Sequence, residues 1–379
     1  MRKLTVGLVL DDSLDKPDGV QQYVLIVGQW LAAQGHKVHY LVGHTTRGDL
    51  ANLHSLSRNV KVKFNQNRMA MPLPASLPAI RKVLAAAHFD VLHVQVPYSP
   101  ALAGRIIKAA DPTTAVVGTF HVLPHSRMVS LANRLLSVLV RGSLRRFDVI
   151  TSNTAATAAF AKKTFGVDGP VIPLPLPLAH FYGAKPFARY KQGKTVVFLG
   201  RLVERKGCQY LLRAVAQAVK NGTWPDGTRV VVCGAGPLEA TLRAFVAAHG
   251  LQKIVEFTGY ISEADKPRYL ASADVVVYPS TGGESFGIVL LEAMAASSGV
   301  VLAGNNPGYA STMAPRPQSL FDPHDSAALA QKIVAALTDH KLKAAAVAWQ
   351  KEYVKQFDVP VIGKRITELY EQALHKRRA

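Results

Sequence analysis

Runs of Val, Ile and Leu alternate with segments of helical spacing along the whole chain. The strand-like runs fall at 4–10, 37–42, 90–96, 115–120 and 148–152, and again at 195–200, 230–234, 254–259, 274–279 and 299–304. They are near-continuously apolar rather than alternating, which predicts parallel strands covered by helices on both faces. Two such series in tandem predict an α/β protein of two doubly wound, Rossmann-like domains, with ligands beyond the carboxyl ends of the strands. The interruption, VIPLPLPLAHFYGAKPFARYKQGK, has prolines at 173, 175, 177 and 186, which exclude helix and suit a semi-rigid hinge. We therefore expect an N-terminal domain over 1–178, a C-terminal domain over 179–358 and a final helix over 359–379. That helix follows from the spacing of Ile362, Ile366, Leu369, Tyr370 and Ala373. Spacing does not decide where it packs; a return to the N-terminal domain is one option.

Length and composition agree with this picture: 379 residues suit two domains, and 49% hydrophobic against 18% charged residues excludes a disordered chain. Charge adds something new. The formal charge is +20, and residues 1–178 hold 20 Lys and Arg against 9 Asp, with no glutamate before Glu204. One-sign stretches favour a polyanionic partner, either nucleic acid or an anionic membrane face, over a merely basic surface. Arg127, Arg134 and Arg141 are seven apart with Arg145 one turn beyond, and Leu135, Val138 and Leu139 lie among them. That is the pattern of a basic amphipathic helix lying on an anionic membrane, with Arg81 and Lys82 in a second contact. The same helix could instead use its apolar side only for the domain core. No apolar run is long enough to span a membrane, and the N-terminal run is too short for a signal sequence. Cys208 and Cys233 form no CxxC pair and point to a reducing compartment without structural zinc.

The segments after each strand carry the candidate chemistry. Following the run at 195–200, Arg201, Arg205 and Lys206 gather before a helix expected near Gly207. Cations oppose the positive end of a helix dipole, so an anion such as a diphosphate would resolve the conflict. Following the run at 274–279 comes STGGESFGIVLLEAMAA, where Gly282, Gly283 and Gly287 permit close backbone approach to a ligand. The helix from Ile288 is apolar on all sides and so buried, and Glu292 inside it needs a hydrogen-bonding ligand or a basic neighbour. Glu284, eight residues earlier, is too far from it to share one reacting atom, which suits two ends of one long ligand. In the N-terminal half, Gly19 and Gln21 open the first helix, and His121 stands at a strand end where an imidazole can bond a sugar oxygen or relay a proton. No metal-ligand spacing occurs around His121.

Two other classes remain open on the residues alone. Gly283-Glu284-Ser285-Phe286-Gly287 is a literal G-x-S-x-G, which suggests a serine hydrolase using Ser285. Against it, an elbow puts its serine directly at the strand end, and no HGGG-type segment is present. A basic nucleic-acid-binding protein would use the +20 charge, yet no recognition-helix motif or aromatic platform accompanies it, so no nucleic acid is expected.

GGESFGIVLLEAMAA, FLGRLVERKG, CGAGPLEATL and the early DGVQQYV closely resemble the family 4 retaining glycosyltransferases of the GT-B fold, two Rossmann-like domains facing a cleft. GESFGIVLLEAMAA, TFH and the segment PASLPAIRKVLAAAHFDVLHVQVP look most like the bacterial phosphatidylinositol mannosyltransferases. The resemblance implies hexosyl transfer from a nucleotide sugar, of the GDP-mannose or UDP-glucose type, to a membrane lipid; a soluble or polysaccharide acceptor is the alternative. It implies that Arg201 and Lys206 neutralise the donor diphosphate, Glu284 holds sugar hydroxyls and Glu292 the ribose. Gly283, Ser285, Phe286, Gly287 and Ile288 complete the donor loop, Gly19 lies against the phosphates, and Ile261, Glu263 and Lys266 border the nucleobase. His121 would contact the transferring sugar, with Gln21 and Tyr98 toward the acceptor. No tightly bound cofactor is implied, and a divalent metal would stimulate rather than be required. The implied location is cytoplasmic, peripheral on the inner face of the plasma membrane. Three positions depart from the family's pattern: Asp18 replaces a glycine, IPLPLP replaces the usual hinge, and Tyr98 stands where asparagine is usual.

Overall fold

The ten apolar runs supply ten of the twelve strands of two six-stranded parallel sheets. The structure is a computed structural model that describes residues 2–15, 19–57, 59–64, 67–72, 75–121, 127–296 and 299–378, with backbone alone for 59–64, 67–72 and 127–131. The chain divides into unit 1, Met1–Leu176 with Phe357–Ala379, and unit 2, Pro177–Gln356. Composition puts these borders after 178 and 358. The chain changes unit slightly earlier because Leu176 is tied to the returning segment, its N–H donating to Phe357 O (2.8 Å) and its carbonyl accepting from Val359 N (3.1 Å).

Unit 1 runs β1 (Thr5–Leu10), α1 (Gly19–Ala33), β2 (Lys37–Val42), β3 (Leu53–Ser55), β4 (Asn59–Phe64), β5 (Asn67–Pro72), α2 (Leu77–Ala87), β6 (Val91–Gln95), α3 (Leu102–Ala109), β7 (Ala115–Phe120), α4 (Arg127–Leu144), β8 (Val149–Ser152) and α5 (Ala155–Phe165). Its sheet order is β3-β2-β1-β6-β7-β8, and the order reverses between β1 and β6. The hairpin β4–β5 is antiparallel and outside that sheet. Neither it nor β3 is announced by an apolar run. NVKVKF alternates polar and apolar residues, the period of a ribbon rather than of a doubly covered strand, and NRMAMP pairs with it.

Unit 2 runs β9 (Lys194–Leu199), α6 (Cys208–Lys220), β10 (Thr228–Cys233), α7 (Glu239–Ala248), β11 (Val255–Gly259), α8 (Lys266–Ala271), β12 (Val275–Tyr278), α9 (Ile288–Ala296), β13 (Val300–Gly304), α10 (Pro307–Met313), β14 (Leu320–Phe321), α11 (Ser326–Thr338) and α12 (His340–Val354). Its order, β11-β10-β9-β12-β13-β14, reverses between β9 and β12. Val196, Val230, Val275 and Val300 sit in its core with Leu211, Leu212 and Leu329 from the covering helices. α13 (Val359–Arg378) belongs to unit 1, where Ile362, Ile366, Leu369, Tyr370 and Ala373 are all buried. Gly363 makes that packing close, since a Cβ there would lie 2.4 Å from the Trp30 ring of α1.

Candidate functional site

In an open doubly wound sheet, the loops beside the point where strand order reverses form the binding crevice. In unit 2 these are the loops after β9 and β12, and they are bolted together. Gly207 has φ +77°, and a Cβ there would lie 1.9 Å from Pro279 O, so glycine is needed for the loops to meet. Thr281 N and Ser280 Oγ each donate to Arg205 O at 2.9 Å. Glu284 closes the join: its Oε1 accepts from Arg205 Nη1 (2.8 Å), Lys206 Nζ (2.9 Å) and Ser280 Oγ (3.1 Å). The carboxylate is half-buried, with its side chain only 13% exposed, so these charge-assisted bonds are shielded from water.

Two of the three cations before α6, Arg205 and Lys206, thus share Glu284 as a common anion. A diphosphate is not required to hold Arg205 and Lys206 together. Arg205 is one of the three cations expected in this loop; its partner Glu284, 79 positions away, comes from the geometry alone. Arg201 is exposed at the start of the same loop, and Gly283 lies against the Arg205 side chain. Phe286 and Gly287 are buried, with Ser285 and Ile288 partly so. β12 ends at Tyr278, well before Ser285, so the strand-end geometry of a hydrolase elbow is not formed. The glycines of CGAGP serve the backbone: a Cβ at Gly234 (φ +141°) would lie 2.0 Å from Gly200 O.

Glu292 is buried in α9, and its neighbour is basic. Lys266 Nζ at the start of α8 donates to Glu292 Oε1 (2.8 Å) and pairs with Glu263 Oε2 (2.7 Å). Burial pushes the Glu292 carboxyl up, and the Lys266 charge works against that push. For Lys266, burial acts to lower the pKa, but Glu292 and Glu263 outweigh it and raise it, keeping the ammonium charged. The residues expected at the nucleobase thus also supply the counter-ion of the expected ribose ligand, and Ile261 is partly buried beside them in sequence.

Unit 1 carries a second set at its own strand ends. Gly19 opens α1, and Asp18 lies outside the described residues. Gln21, expected toward the acceptor, is 8% exposed and donates from Nε2 to Asp12 Oδ2 (2.9 Å). Tyr98, also expected there, has its ring stacked on Phe120 and Phe165 with centroids 5.2 and 4.8 Å away. Its ring is committed to packing. Asp11, which no sequence motif marks, accepts from Ser99 Oγ and from Ala103 N (2.6 Å), and burial raises its pKa to about 6. Val96, just after β6, has φ +55°, an unfavourable region for a β-branched residue that costs about 1–3 kcal/mol.

His121 is 3% exposed just past β7. Its Nε2 is 2.7 Å from Gln95 Oε1, and the Tyr23 ring meets it edge-on at 4.8 Å. His93, on β6, bonds Tyr370 OH of α13 (2.8 Å) and Thr119 Oγ1 (2.7 Å). Burial lowers both imidazoles to a pKa of about 3, His121 also through His93. Unfolded histidine binds a proton below about 6.5, whereas these two do so only near 3, so their share of stability is lost as pH falls between those values. Asp11, raised to about 6, offsets one proton between pH 6 and its unfolded value. Unit 1 should therefore lose at least about 1.4 kcal/mol per pH unit between about pH 6 and 4. Urea unfolding across that range checks it, and His121→Gln should flatten the slope.

α4 shows two faces. Val140 and Leu144 are buried against the core, while Leu135, Val138 and Leu139 are 68%, 67% and 80% exposed. Arg134, Arg141 and Arg145 are exposed among them, as are Arg81 and Lys82 on α2; the side chain of Arg127 lies outside the described residues. The apolar side of α4 is therefore not used only for the core. Among the described residues, no helix is long and apolar enough to cross a membrane, and no group of three or more His, Cys, Asp or Glu side chains is placed to hold a metal ion.

Comparison with known proteins bears on the same two units. The family model "Glycosyltransferase Family 4" matches residues 17–179, and "Glycosyl transferases group 1" matches 184–352. A phosphatidyl-myo-inositol mannosyltransferase of Mycolicibacterium smegmatis is 32% identical over 377 residues, covering 97% of this chain and 94% of its own. A GDP-mannose-dependent alpha-(1-6)-phosphatidylinositol monomannoside mannosyltransferase of Mycobacterium tuberculosis is 27% identical, covering 81% and 82%. In architecture, the chain is similar to a glycosyltransferase from Rickettsia africae, with a TM-score of 0.75 at 16% identity over 99% of both chains. The fold is that of the GT-B glycosyltransferases.

Proposed function

The chain belongs to glycosyltransferase family 4, and on that premise we propose that it transfers mannose from GDP-mannose to a phosphatidylinositol-type lipid with retention at the anomeric carbon. The observation that carries the reading is Glu284, a shielded carboxylate fixed by Arg205, Lys206 and Ser280 at the reversal point of the unit 2 sheet. All three contacts fall on Oε1, which makes Oε2 the oxygen to accept from sugar hydroxyls. Arg201 and Lys206 neutralise the diphosphate, so Lys206 is shared between Glu284 and the phosphate when donor binds. Gly283, Ser285, Phe286, Gly287 and Ile288 form the donor loop. Glu292, with Lys266 as its counter-ion, takes the ribose diol, and Ile261 and Glu263 border the base. Gly19 approaches the phosphates. Gln21 serves the acceptor, while Tyr98 shapes that region through packing.

In the proposed step, the bond from the anomeric carbon to the leaving phosphate oxygen breaks as the acceptor oxygen bonds to the same face. The acceptor proton passes to that phosphate oxygen. Fixed cations stabilise the charge that develops on the diphosphate, and preorganised stabilisation of this kind usually contributes more to catalysis than any other effect. A divalent metal would stimulate rather than be required. Incubation with GDP-mannose, UDP-glucose and phosphatidylinositol, followed by mass spectrometry, should give one added hexose on the lipid from GDP-mannose. Product from UDP-glucose alone would defeat the donor assignment, and no glycolipid at all would defeat the acceptor.

Relatives named for a lipid acceptor and the exposed face of α4 together support work at an anionic membrane surface, which we place on the cytoplasmic side of the plasma membrane as the family resemblance implies. Leu135, Val138 and Leu139 supply apolar area, and each nearby cation contributes roughly 1 kcal/mol. Burying one leucine is worth about 1.5–3 kcal/mol, so Leu139→Asp should weaken binding to phosphatidylglycerol vesicles by roughly tenfold or more. Sedimentation at matched salt checks this, and equal binding of the native chain to phosphatidylcholine would count against it.

A further inference from the structure

The orientation of the Gln95 amide is fixed by its two partners. Its Nε2 donates to the His93 carbonyl at 3.2 Å, and the opposite end, Oε1, lies 2.7 Å from His121 Nε2. Turning the amide over would set Oε1 against a carbonyl oxygen, so the observed sense is the only one that satisfies both contacts. An amide oxygen can only accept. His121 Nε2 must therefore carry the hydrogen, and in a neutral imidazole Nδ1 is then a bare acceptor. Among the described residues Nδ1 is buried and has no hydrogen-bond partner. Gln95 is itself fully buried as the last residue of β6, where the left-handed Val96 turns the chain away. Tyr23 meets the His121 ring edge-on. A buried acceptor without a donor is costly, and this one stands at a strand end, where doubly wound sheets bind their ligands.

We propose that Gln95 is a positioning residue that locks His121 in the Nε2–H tautomer and so presents Nδ1 as an acceptor for a substrate hydroxyl. Assigning that hydroxyl to the transferring sugar rests on the function proposed above; the tautomer does not. A ring held this way selects a ligand that donates, such as a sugar alcohol group. It rejects one that only accepts, such as a phosphate oxygen.

The test separates the two layers. Nitrogen-15 NMR of the full chain should show His121 with hydrogen on Nε2 and a lone pair on Nδ1. Gln95→Met, similar in volume but without an accepting oxygen, should shift His121 toward the Nδ1–H form while the His93 signals stay in place. In turnover, Gln95→Met should lower kcat by about 10²-fold, the scale of losing one aligned hydrogen bond in a transition state, with GDP affinity unchanged. An Nδ1–H ring in the native chain, or a native-like tautomer in Gln95→Met, would overturn the proposal. So would a shifted tautomer with unchanged kcat. A native chain with the expected tautomer that transfers no sugar would instead refute the glycosyltransfer reading and leave the tautomer assignment standing.

Discussion

Glu284→Ala is expected to abolish transfer while leaving the nucleotide bound. Two effects act together. The substitution removes the acceptor for sugar hydroxyls, and it releases Arg205 and Lys206 from the contact that aims them along one carboxylate edge. Loss of one preorganised charge contact at a reacting centre costs about 10²–10³ in kcat. Removing an anion that organises two cations should sit at or beyond the upper end. Glu284→Gln should be milder in structure, since an amide oxygen still accepts from Lys206, but it gives up the charge on which both pairings depend. The measurement is kcat with GDP-mannose beside GDP affinity by calorimetry. Turnover in Glu284→Ala similar to the native chain would remove Glu284 from the site. Loss of GDP binding alongside turnover would show that the carboxylate organises the whole nucleotide pocket.

Lys266→Met should be the most destabilising single change among the site residues. Glu292 is 5% exposed in a helix whose neighbours are Leu290, Leu291, Ala293 and Met294, all buried, and Lys266 is its charged partner. Breaking a buried pair by removing one member costs about 3–5 kcal/mol, because the remaining charge has neither water nor a counter-ion. Urea unfolding should show this loss in unit 2. Adding Glu292→Gln to Lys266→Met should restore much of it, since the stranded charge is gone. A loss below about 1 kcal/mol in the single variant, the range of exposed pairs, would mean that water reaches Glu292. Saturating nucleotide should rescue the single variant in part, by binding only the folded chain.

Much of this architecture is legible in the sequence. Strands of both sheets announce themselves because doubly covered parallel strands are apolar along their length. The buried face of α13 and the all-round apolar α9 follow from spacing in the same way, and burial makes a partner for Glu292 obligatory. What spacing misses is equally specific. β14 is only two residues, Leu320–Phe321, too short for a run to register. β3 and the hairpin β4–β5 depend on pairing rather than on burial of a continuous stripe. Gln95 and His93 do leave a trace, as polar residues in a strand otherwise reading Val91, Leu92 and Val94, and that interruption could have marked them.

Local facts, namely period, apolar content and the cost of burying a charge, suffice to specify ten of the sheet strands, the doubly wound class of both domains and the glycine-rich loop. They also specify the need for charge compensation at Glu292 and around Lys206. The identity of each partner comes from the tertiary fold. Glu284 meets Arg205 across 79 positions, Lys266 meets Glu292 across 26, and His121 meets Gln95 across 26. From the fold, too, come the carboxylate shared by Arg205 and Lys206 and the apolar face that α4 keeps exposed. Such pairings depend on which strands lie side by side and how far each loop carries its side chains. A one-dimensional pattern records what each residue needs, and only the folded path determines which other residue supplies it.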